Sequence, residues 1–430
     1  MPVTRRYFLK SAGLTLFGAG CVPSFMRRTA FALDSSGRRR RVLVAIFQRG
    51  AVDGLNMVIP FAEKDYYWMR PTIAIPEPQT RAATGAGPAA IDLDGFFALH
   101  PSLAQMKPLF DARQLAIIHA VGSPNSTRSH FDAQDYMETA TPGVKSTEDG
   151  WLNRYLAAKP QAEATPFRAV AVAPRMPRTL AGQASSLVIE QIKNFRLLGR
   201  PDPPPFQPAT PAAEELAFEE MYASSRDPLF AGAAAETFEA IRTLRHIGAE
   251  NYQPANGAEY PHGKLGQDLQ QVAQLIKADV GLEVAFSNVG GWDNHVNEGG
   301  VEGQMANNLK DLGDALAAFH KDLGDRMEDV VVLTMSEFGR TARENGNRGT
   351  DHGHANAMLV LGGRVKGGKV SGDWPGLKPG QLNEDRDLAM TTDFRDVFAE
   401  VIVRHLGAED TAAVFPEFTV APERFRGFIA

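Results

Sequence analysis

Five short, almost uninterrupted apolar runs constrain the fold of this chain more than any other feature of its sequence. They span residues 41–47, 115–118, 282–286, 330–334 and 358–361. Such runs are typical of strands that are buried on both faces, as in a parallel sheet covered by helices. Between the runs, apolar residues recur with a helical period, most clearly at Leu309, Leu312, Leu316, Phe319 and Leu323 and at Phe394, Val397, Phe398, Val401 and Ile402. Strands that alternate with helices predict an α/β sandwich.

Residues 33–430 are long enough for two or three domains, but the pattern favours one elaborated α/β sandwich domain. Five prolines between residues 199 and 208 exclude regular structure there, so this stretch is predicted to be a surface connection. Helical periodicity follows over residues 212–247, and a loop rich in proline and glycine comes after it. We therefore predict a mainly helical insert at about residues 209–262.

The first 32 residues have the pattern of a twin-arginine export signal. Arg5 and Arg6 precede an apolar stretch over residues 12–25, and Ala30 and Ala32 provide a site for cleavage after Ala32. The apolar stretch is short and interrupted by glycine, so no stable membrane span is expected after cleavage. The sequence thus predicts a periplasmic or secreted protein whose partners during export are the twin-arginine translocase and a signal peptidase.

The only cysteine, Cys21, lies within this predicted signal segment. A lipoprotein cleaved before Cys21 is the alternative, although residues 18–20 lack the leucine expected there. Without residues 1–32 the chain forms no disulfide and has no thiol chemistry. The segment also holds five basic and no acidic residues, so its removal leaves 40 basic against 51 acidic residues, a net charge of −11. This balance argues against nucleic-acid binding.

Acidic and histidine residues cluster beside three of the apolar runs. Asp293 and His295 follow the run at 282–286, and Glu337 follows the run at 330–334. In α/β sheets, ligands bind beyond the carboxyl ends of the strands. Asp and His are common ligands of zinc, and at i, i+2 spacing in extended backbone both side chains point the same way. The sequence therefore predicts a metal-centred hydrolytic site at this edge.

The third cluster, Asp351, His352 and His354, precedes the run at 358–361 instead of following it. It reaches the same edge only if its loop folds back. A single Asp-x-His pair in a loop is more often part of a turn than a metal site. Two such clusters in a chain with only ten histidines favour metal binding or catalysis.

Five motifs resemble, in order, an exported bacterial family known as a domain of unknown function, DUF1501. They occupy residues 48–56, 128–134, 290–295, 336–341 and 350–354, and the resemblance extends from about residue 41 to residue 419. More distantly, the layout is similar to the alkaline phosphatase and sulfatase superfamily, whose fold is an α/β sandwich. In that superfamily, aspartates, histidines and a Ser, Thr or Cys nucleophile build a metal site.

This resemblance implies roles for individual residues. Asp293 and His295 match the Asp and His of a first metal ion, and His352 or His354 matches its last His. Ser129 stands where the superfamily keeps its nucleophile, and Ser126 and Thr127 compete for that role. The implied cofactor is a divalent ion: zinc, manganese or calcium.

Two departures from the superfamily pattern reduce the expected number of ions to one or none. Residues 336–339 read Ser-Glu-Phe-Gly where Ser-Asp-His-Gly is common, so a Glu replaces the Asp and a second-metal His is missing. Gln48 stands at the end of the first strand, where an Asp is expected, and Asp53 lies five residues later. The candidate metal ligands are thus Asp53, Asp293, His295, Glu337, Asp351, His352 and His354.

The chemistry implied is hydrolysis of a small or polymeric phosphate or sulfate ester. Arg128 and Arg340 are candidates to stabilise the developing negative charge, because guanidinium groups match such oxygens. His130 is a candidate general acid or base, or else a structural hydrogen-bonding residue of its loop. The alternative is a binding or accessory protein on a catalytically degenerate form of the fold, which holds an anionic glycan or a co-exported partner. An oxidoreductase finds little support, because no Gly-x-Gly-x-x-Gly follows a strand.

Overall fold

The structure is a computed structural model that describes residues 39–79, 87–161, 164–194, 220–221, 228–247 and 251–430. The predicted export signal, 1–32, and the proline-rich connection, 199–208, lie outside these residues. Within the described ranges, no helix combines the length and the hydrophobicity that a membrane crossing requires.

A nine-stranded sheet forms the centre of the described structure. Its order is β11-β5-β10-β9-β1-β8-β6-β7, and β12 pairs with β5. Its strands are β1 (Val42–Gln48), β5 (Leu115–Gly122), β6 (Ala169–Val172), β7 (Leu187–Val188), β8 (Val284–Val289), β9 (Val330–Met335), β10 (Asn356–Gly362), β11 (Val370–Ser371) and β12 (Thr392–Asp393). A separate three-stranded sheet consists of β2 (Val58–Ile59), β3 (Ile91–Asp92) and β4 (Ala98–Leu99).

Helices cover both faces of the central sheet. They are α1 (Gly54–Met57), α2 (Lys64–Met69), α3 (Lys107–Asp111), α4 (His130–Thr139), α5 (Trp151–Ala158), α6 (Pro228–His246), α7 (Lys264–Lys277), α8 (Gln304–Leu323), α9 (Phe394–Glu400) and α10 (Thr411–Val414). Alternate residues of β1 point to opposite faces, as strand geometry requires. Ile46 packs in one core with Leu316 of α8, and Phe47 packs in the other with Trp151 of α5 and Phe398 of α9.

The predicted α/β sandwich is confirmed. All five apolar runs lie wholly or mostly within strands, and residues 304–323 and 394–400 are helical, as their periodicity predicts. The second helix continues as a π-helix over Val401–Leu406. In the predicted insert, the described residues Pro228–His246 form α6. The strands β6, β7, β11 and β12 were not predicted, because runs of two to four residues are too short to show a strand period.

Strand β10 is the exception to the expected parallel sheet. It is antiparallel to both neighbours, with Val360 opposite Leu333 of β9 and Met358 opposite Ile118 of β5, whereas β1 is parallel to β8 and β9. The amino end of β10 therefore lies at the same edge as the carboxyl ends of β1, β8 and β9. The segment that precedes β10, with its Asp and His residues, reaches this edge because the strand itself is reversed.

His405, in the π-helix, links this helix to the opposite edge of the sheet. Its ring is fully buried, and Nε2 lies 2.9 Å from the carbonyl oxygen of Val42. Burial lowers the pKa of His405 to about 4, from 6.5. Because the folded state disfavours the proton, this residue's contribution to stability is complete above pH 6.5 and is lost as the pH falls towards 4.

We expect the free energy of unfolding to fall by about 3 kcal/mol between pH 7.5 and 4 through His405 alone, at about 1.4 kcal/mol per pKa unit. His405→Gln keeps a donor for Val42 but cannot titrate, so its loss of stability with acid should be smaller by that amount. Urea unfolding at both pH values measures this difference. His262→Gln, at an exposed histidine, is the control and should behave like the wild type. An equal acid loss in His405→Gln and the wild type would contradict the expectation.

Candidate metal centre

Four segments converge at the sheet edge described above. Asp293 and His295 follow β8, Glu337 follows β9, His352 precedes β10, and His130 begins α4 in the segment after β5. The segments after β9 and before β10 also pair directly, through a backbone bridge between Arg340 and His352. Gly353 permits this approach, since a Cβ atom there would lie only 2.3 Å from the carbonyl carbon of Arg340.

Three imidazole rings meet at this point. Nε2 of His352 lies 2.9 Å from Nε2 of His130 and 2.9 Å from Nε2 of His295. The same nitrogen lies 3.2 Å from Oδ1 of Asp293, and Nε2 of His295 lies 3.0 Å from that oxygen. His130, Asp293 and His352 each offer a ligand atom, and these atoms lie within 4.8 Å of one another.

The other nitrogen of each ring faces an atom that can only accept a hydrogen bond. Nδ1 of His130 lies 2.8 Å from Oε1 of Glu337, and Nδ1 of His295 lies 3.0 Å from Oδ1 of Asp351. Nδ1 of His352 lies 2.8 Å from the carbonyl oxygen of Arg128. A carbonyl or an ionised carboxylate accepts and does not donate, so each Nδ1 carries the proton. In the neutral rings, Nε2 is then left with its lone pair.

These tautomers direct three lone pairs and a carboxylate oxygen towards one another. Two imidazole nitrogens at 2.9 Å repel each other unless a positive charge lies between or beside them. If both Nε2 atoms of a pair are protonated, the repulsion between two lone pairs is replaced by repulsion between two N–H groups. The donor set consists of imidazole nitrogens and one carboxylate, and each Nδ1 is bound to an outer acceptor. Such a set suits a divalent transition metal such as zinc. The residues present therefore fit such an ion.

Arg340 supports the carboxylate of this set. Burial alone would raise the pKa of Asp293, but Nη1 of Arg340, 2.7 Å from Oδ1, holds the pKa below its usual value. The Arg340 guanidinium is buried, and it also donates from Nε to the hydroxyl of Thr350 at 3.1 Å and to the Thr350 carbonyl. Asp293 is thus kept ionised and oriented, and Arg340 is occupied in doing so.

Glu337 lies behind His130 and outside the cluster of Nε2 atoms. Its Oε1 accepts hydrogen bonds from the backbone N–H of Gly50 at 2.8 Å and from Nε2 of Gln134 at 2.9 Å, besides the contact with His130. Burial raises the pKa of Glu337, but these hydrogen bonds more than compensate and lower it overall. The geometry makes Glu337 an orienting carboxylate, whereas its predicted role as a ligand finds no support here.

Asp351 is likewise an orienting carboxylate, because its Oδ1 contacts Nδ1 of His295. Nδ2 of Asn345 donates to Oδ1 of Asp351 at 3.1 Å and to the carbonyl oxygen of His295 at 2.9 Å. Sequence reasoning assigned no role to Gln134 or Asn345. Gln134 lies one helical turn after His130, and this i, i+4 spacing is the one signal that relates the two residues in the sequence.

Two of the candidate ligands lie apart from the cluster. Asp53 caps α1 through the backbone N–H of Leu55 and forms a buried ion pair with Arg70. His354 is not in the group formed by His130, Asp293 and His352, and burial lowers its pKa. Both carboxylate oxygens of Asp53 face the Arg70 guanidinium, and Asp53 is not one of the residues whose ligand atoms lie together, so the geometry does not support Asp53 as a ligand.

Arg128 and Ser129, which were predicted to act on the substrate, lie beside His352, whose Nδ1 contacts the Arg128 carbonyl oxygen. The Arg128 guanidinium donates from Nη2 to Asp387 and Glu384, both at 2.7 Å. Ser129 is the N-cap of α4, and its hydroxyl lies 3.5 Å from the backbone nitrogen of Asp132. Arg128 is therefore held by carboxylates, and Ser129 lies next to His130 at the positive end of the α4 dipole.

The fold and the site define an α/β protein with a candidate metal centre at the carboxyl edge of a mostly parallel sheet. The chain belongs to the family described as Protein of unknown function (DUF1501), whose model matches residues 40–418. This membership confirms the family predicted from the five motifs. No curated protein matches the chain.

Two solved structures are similar in overall shape. One is the C-terminal periplasmic domain of EcEptC from Escherichia coli, in complex with Zn, at 9% identity and a TM-score of 0.34, covering 76% of this chain and 74% of that chain. The other is the PsFucS1 sulfatase from Pseudoalteromonas sp., at 11% identity and a TM-score of 0.33, covering 81% and 68%. The assignment of the fold rests on the sheet topology given above.

Glu337→Gln tests the orienting role of Glu337, because it keeps the size of the side chain but removes the charge that binds the Nδ1 proton of His130. We expect zinc affinity about 10- to 100-fold weaker, as for other carboxylates that support ligating histidines. Competition with a chromophoric chelator measures the affinity. Glu409→Gln, at an exposed glutamate, should bind zinc like the wild type. Affinity unchanged in Glu337→Gln would show that the contact with His130 does not orient a ligand.

Proposed function

We propose that this protein is a metal-dependent hydrolase of phosphate or sulfate esters. The observation that carries the proposal is the convergence of three imidazole Nε2 atoms and the Asp293 carboxylate, with an acceptor on every Nδ1. The donor set favours zinc among the candidate ions, because imidazole suits zinc whereas calcium prefers oxygen ligands. A bound zinc ion would supply Lewis-acid polarisation of an ester oxygen and lower the pKa of a water molecule.

The proposed roles of the histidines follow from the tautomers. His130, His352 and Asp293 hold the ion, and His295 is the next ligand through its contacts with His352 and Asp293. His130 is thereby reassigned from a general acid or base to a ligand, since its Nε2 faces the other rings and its Nδ1 is bound to Glu337. Of the predicted ligands, Glu337 and Asp351 become the carboxylates that orient His130 and His295.

The amino end of α4 is proposed to bind the anionic part of the ester. This ten-residue helix begins at the site, and the partial positive charge of a helix amino end stabilises phosphate and sulfate groups. Ser129 is the proposed nucleophile, because it lies at this end beside His130, whereas Ser126 is exposed and the Thr127 hydroxyl accepts the Ser129 N–H at 3.3 Å. A water molecule is the alternative.

Export by the twin-arginine route, with cleavage by a signal peptidase, is proposed from residues 1–32. The predicted location is periplasmic or secreted. The substrate is proposed to be a small or polymeric anionic ester, and nucleic acid is not expected as a partner because of the acidic charge balance.

A second function is favoured by the ion pairs that the two arginines predicted to act on the substrate form within the protein. Arg128 is held by Asp387 and Glu384, and Arg340 is held by Asp293 and Thr350. Neither guanidinium is free to stabilise a transition state. The second candidate is therefore a catalytically degenerate protein of the same fold, which binds an anionic glycan or a co-exported partner without cleaving it.

Metal analysis combined with ester turnover separates these functions. Protein purified without chelators should hold about one zinc ion per chain, and Asp293→Ala and His352→Ala should lose it, as measured by inductively coupled plasma mass spectrometry. Turnover of aryl phosphate and aryl sulfate esters should fall at least 100-fold in both variants, because the ligands act as a unit.

His262→Ala is the matched control, since His262 is an exposed histidine outside the cluster, and it should retain both metal and turnover. Absence of stoichiometric metal from the wild type would contradict the metal-dependent function. Metal without turnover on any ester, together with thermal stabilisation by an anionic glycan, would favour the second function.

A further inference from the structure

Trp68 stands out among the four tryptophans of the chain. It is 65% exposed, whereas Trp151 and Trp292 are buried and Trp374 is half-buried. A single exposed apolar residue is ordinary on a protein surface and carries no inference by itself. Trp68 differs from such a residue because a second exposed group is stacked on its ring.

That group is the guanidinium of Arg343, whose Cζ lies 4.1 Å from the centroid of the Trp68 ring. Arg343 is exposed, and no described carboxylate forms an ion pair with it. Its neighbour Glu344 instead accepts hydrogen bonds from the backbone N–H groups of Thr72 and Ile73. The Arg343 guanidinium therefore lies over an aromatic ring, and its N–H groups are available to an anion.

The two chain segments that carry these side chains are fixed relative to each other by buried contacts. Arg70, which follows the helix of Trp68, is fully buried and donates to the carbonyl oxygens of Ala342 and Thr341, both at 2.9 Å. The backbone N–H of Glu344 donates to the Met69 carbonyl at 3.1 Å. The surface formed by Trp68 and Arg343 is thus held in place by the core.

The same segment leads directly to the histidine cluster. The backbone N–H of Thr341 donates to the carbonyl oxygen of Asp351 at 2.9 Å, and Arg340 forms a backbone bridge with His352. Arg343 lies three residues beyond Arg340, so their Cα atoms are at most about 11 Å apart. Arg343 therefore lies on the chain segment that borders the candidate metal centre.

We propose that Trp68 and Arg343 form a binding subsite for an anionic sugar, next to the ester that is cleaved. This inference rests on the proposed function and narrows its substrate to an anionic glycan. The C–H face of a pyranose ring would pack against the exposed indole of Trp68, beside Arg343. The guanidinium would donate two parallel N–H bonds to a sulfate, phosphate or carboxylate group of the sugar.

Binding of a chondroitin 4-sulfate hexasaccharide to the zinc-loaded protein tests the subsite without requiring turnover. Isothermal titration calorimetry should give a Kd at least ten-fold weaker for Trp68→Ala and for Arg343→Gln than for the wild type. In the wild type, tryptophan emission should change in a saturable way, and Trp68→Phe should abolish this change because the other three tryptophans are less exposed. Equal melting temperatures would show that the variants fold.

Arg404→Gln is the matched control, since Arg404 is an exposed arginine stacked on Phe425 near the start of β1, at the opposite edge of the sheet. It should bind the hexasaccharide like the wild type. The desulfated hexasaccharide shows which anion binds Arg343. If the wild type binds it more weakly than the sulfated form, Arg343 binds the sulfate. If the wild type binds both forms equally and Arg343→Gln weakens both, Arg343 binds the uronate carboxylate.

The outcomes for the subsite and for the hydrolase are distinguishable. Trp68-dependent and Arg343-dependent binding without ester turnover would support the subsite and count against the hydrolase. Wild-type affinity in both variants, or no binding of either hexasaccharide, would overturn the subsite even if small esters are hydrolysed.

Discussion

The candidate site depends on the hydrogen bonds that fix the Nδ1 proton of each cluster histidine. Glu337, Asp351 and the Arg128 carbonyl accept these bonds, and as a result the three Nε2 atoms present lone pairs to one another. Without these acceptors the rings could rotate or exchange tautomers, and the close nitrogen contacts would relax. The outer acceptors therefore give the cluster a donor set that could hold a divalent cation.

The sheet topology makes this arrangement possible. Because β10 is reversed, the segment before it starts from the edge at which β1, β8 and β9 end, and His352 can meet His295. Buried polar contacts then lock the segments together. Arg340 joins Asp293 to Thr350, and Thr350 in turn donates from its hydroxyl to Glu298 at 2.7 Å. The site thus lies on segments at the ends of strands and is supported by a buried polar network.

Arginines in this protein mostly serve structure. Arg340 holds Asp293, Arg128 holds Asp387, and Arg70 clamps the helix of Trp68 to the segment that pairs with the histidine loop. The sequence shows the arginines but not their partners, because a guanidinium that binds substrate and one that binds a carboxylate have the same residue type. Arg343 differs from these three because its contact is with an aromatic ring.

The sequence by itself determined the α/β class, the five long strands of the central sheet and the position of Asp293 and His295 just after one of them, because apolar runs and local spacing are encoded along the chain. Tertiary structure decided which candidates meet. It brought His130 into the cluster, placed Glu337 behind it and paired Asp53 with Arg70. These outcomes depend on the direction of β10 and on contacts between residues far apart in sequence, which no local pattern specifies.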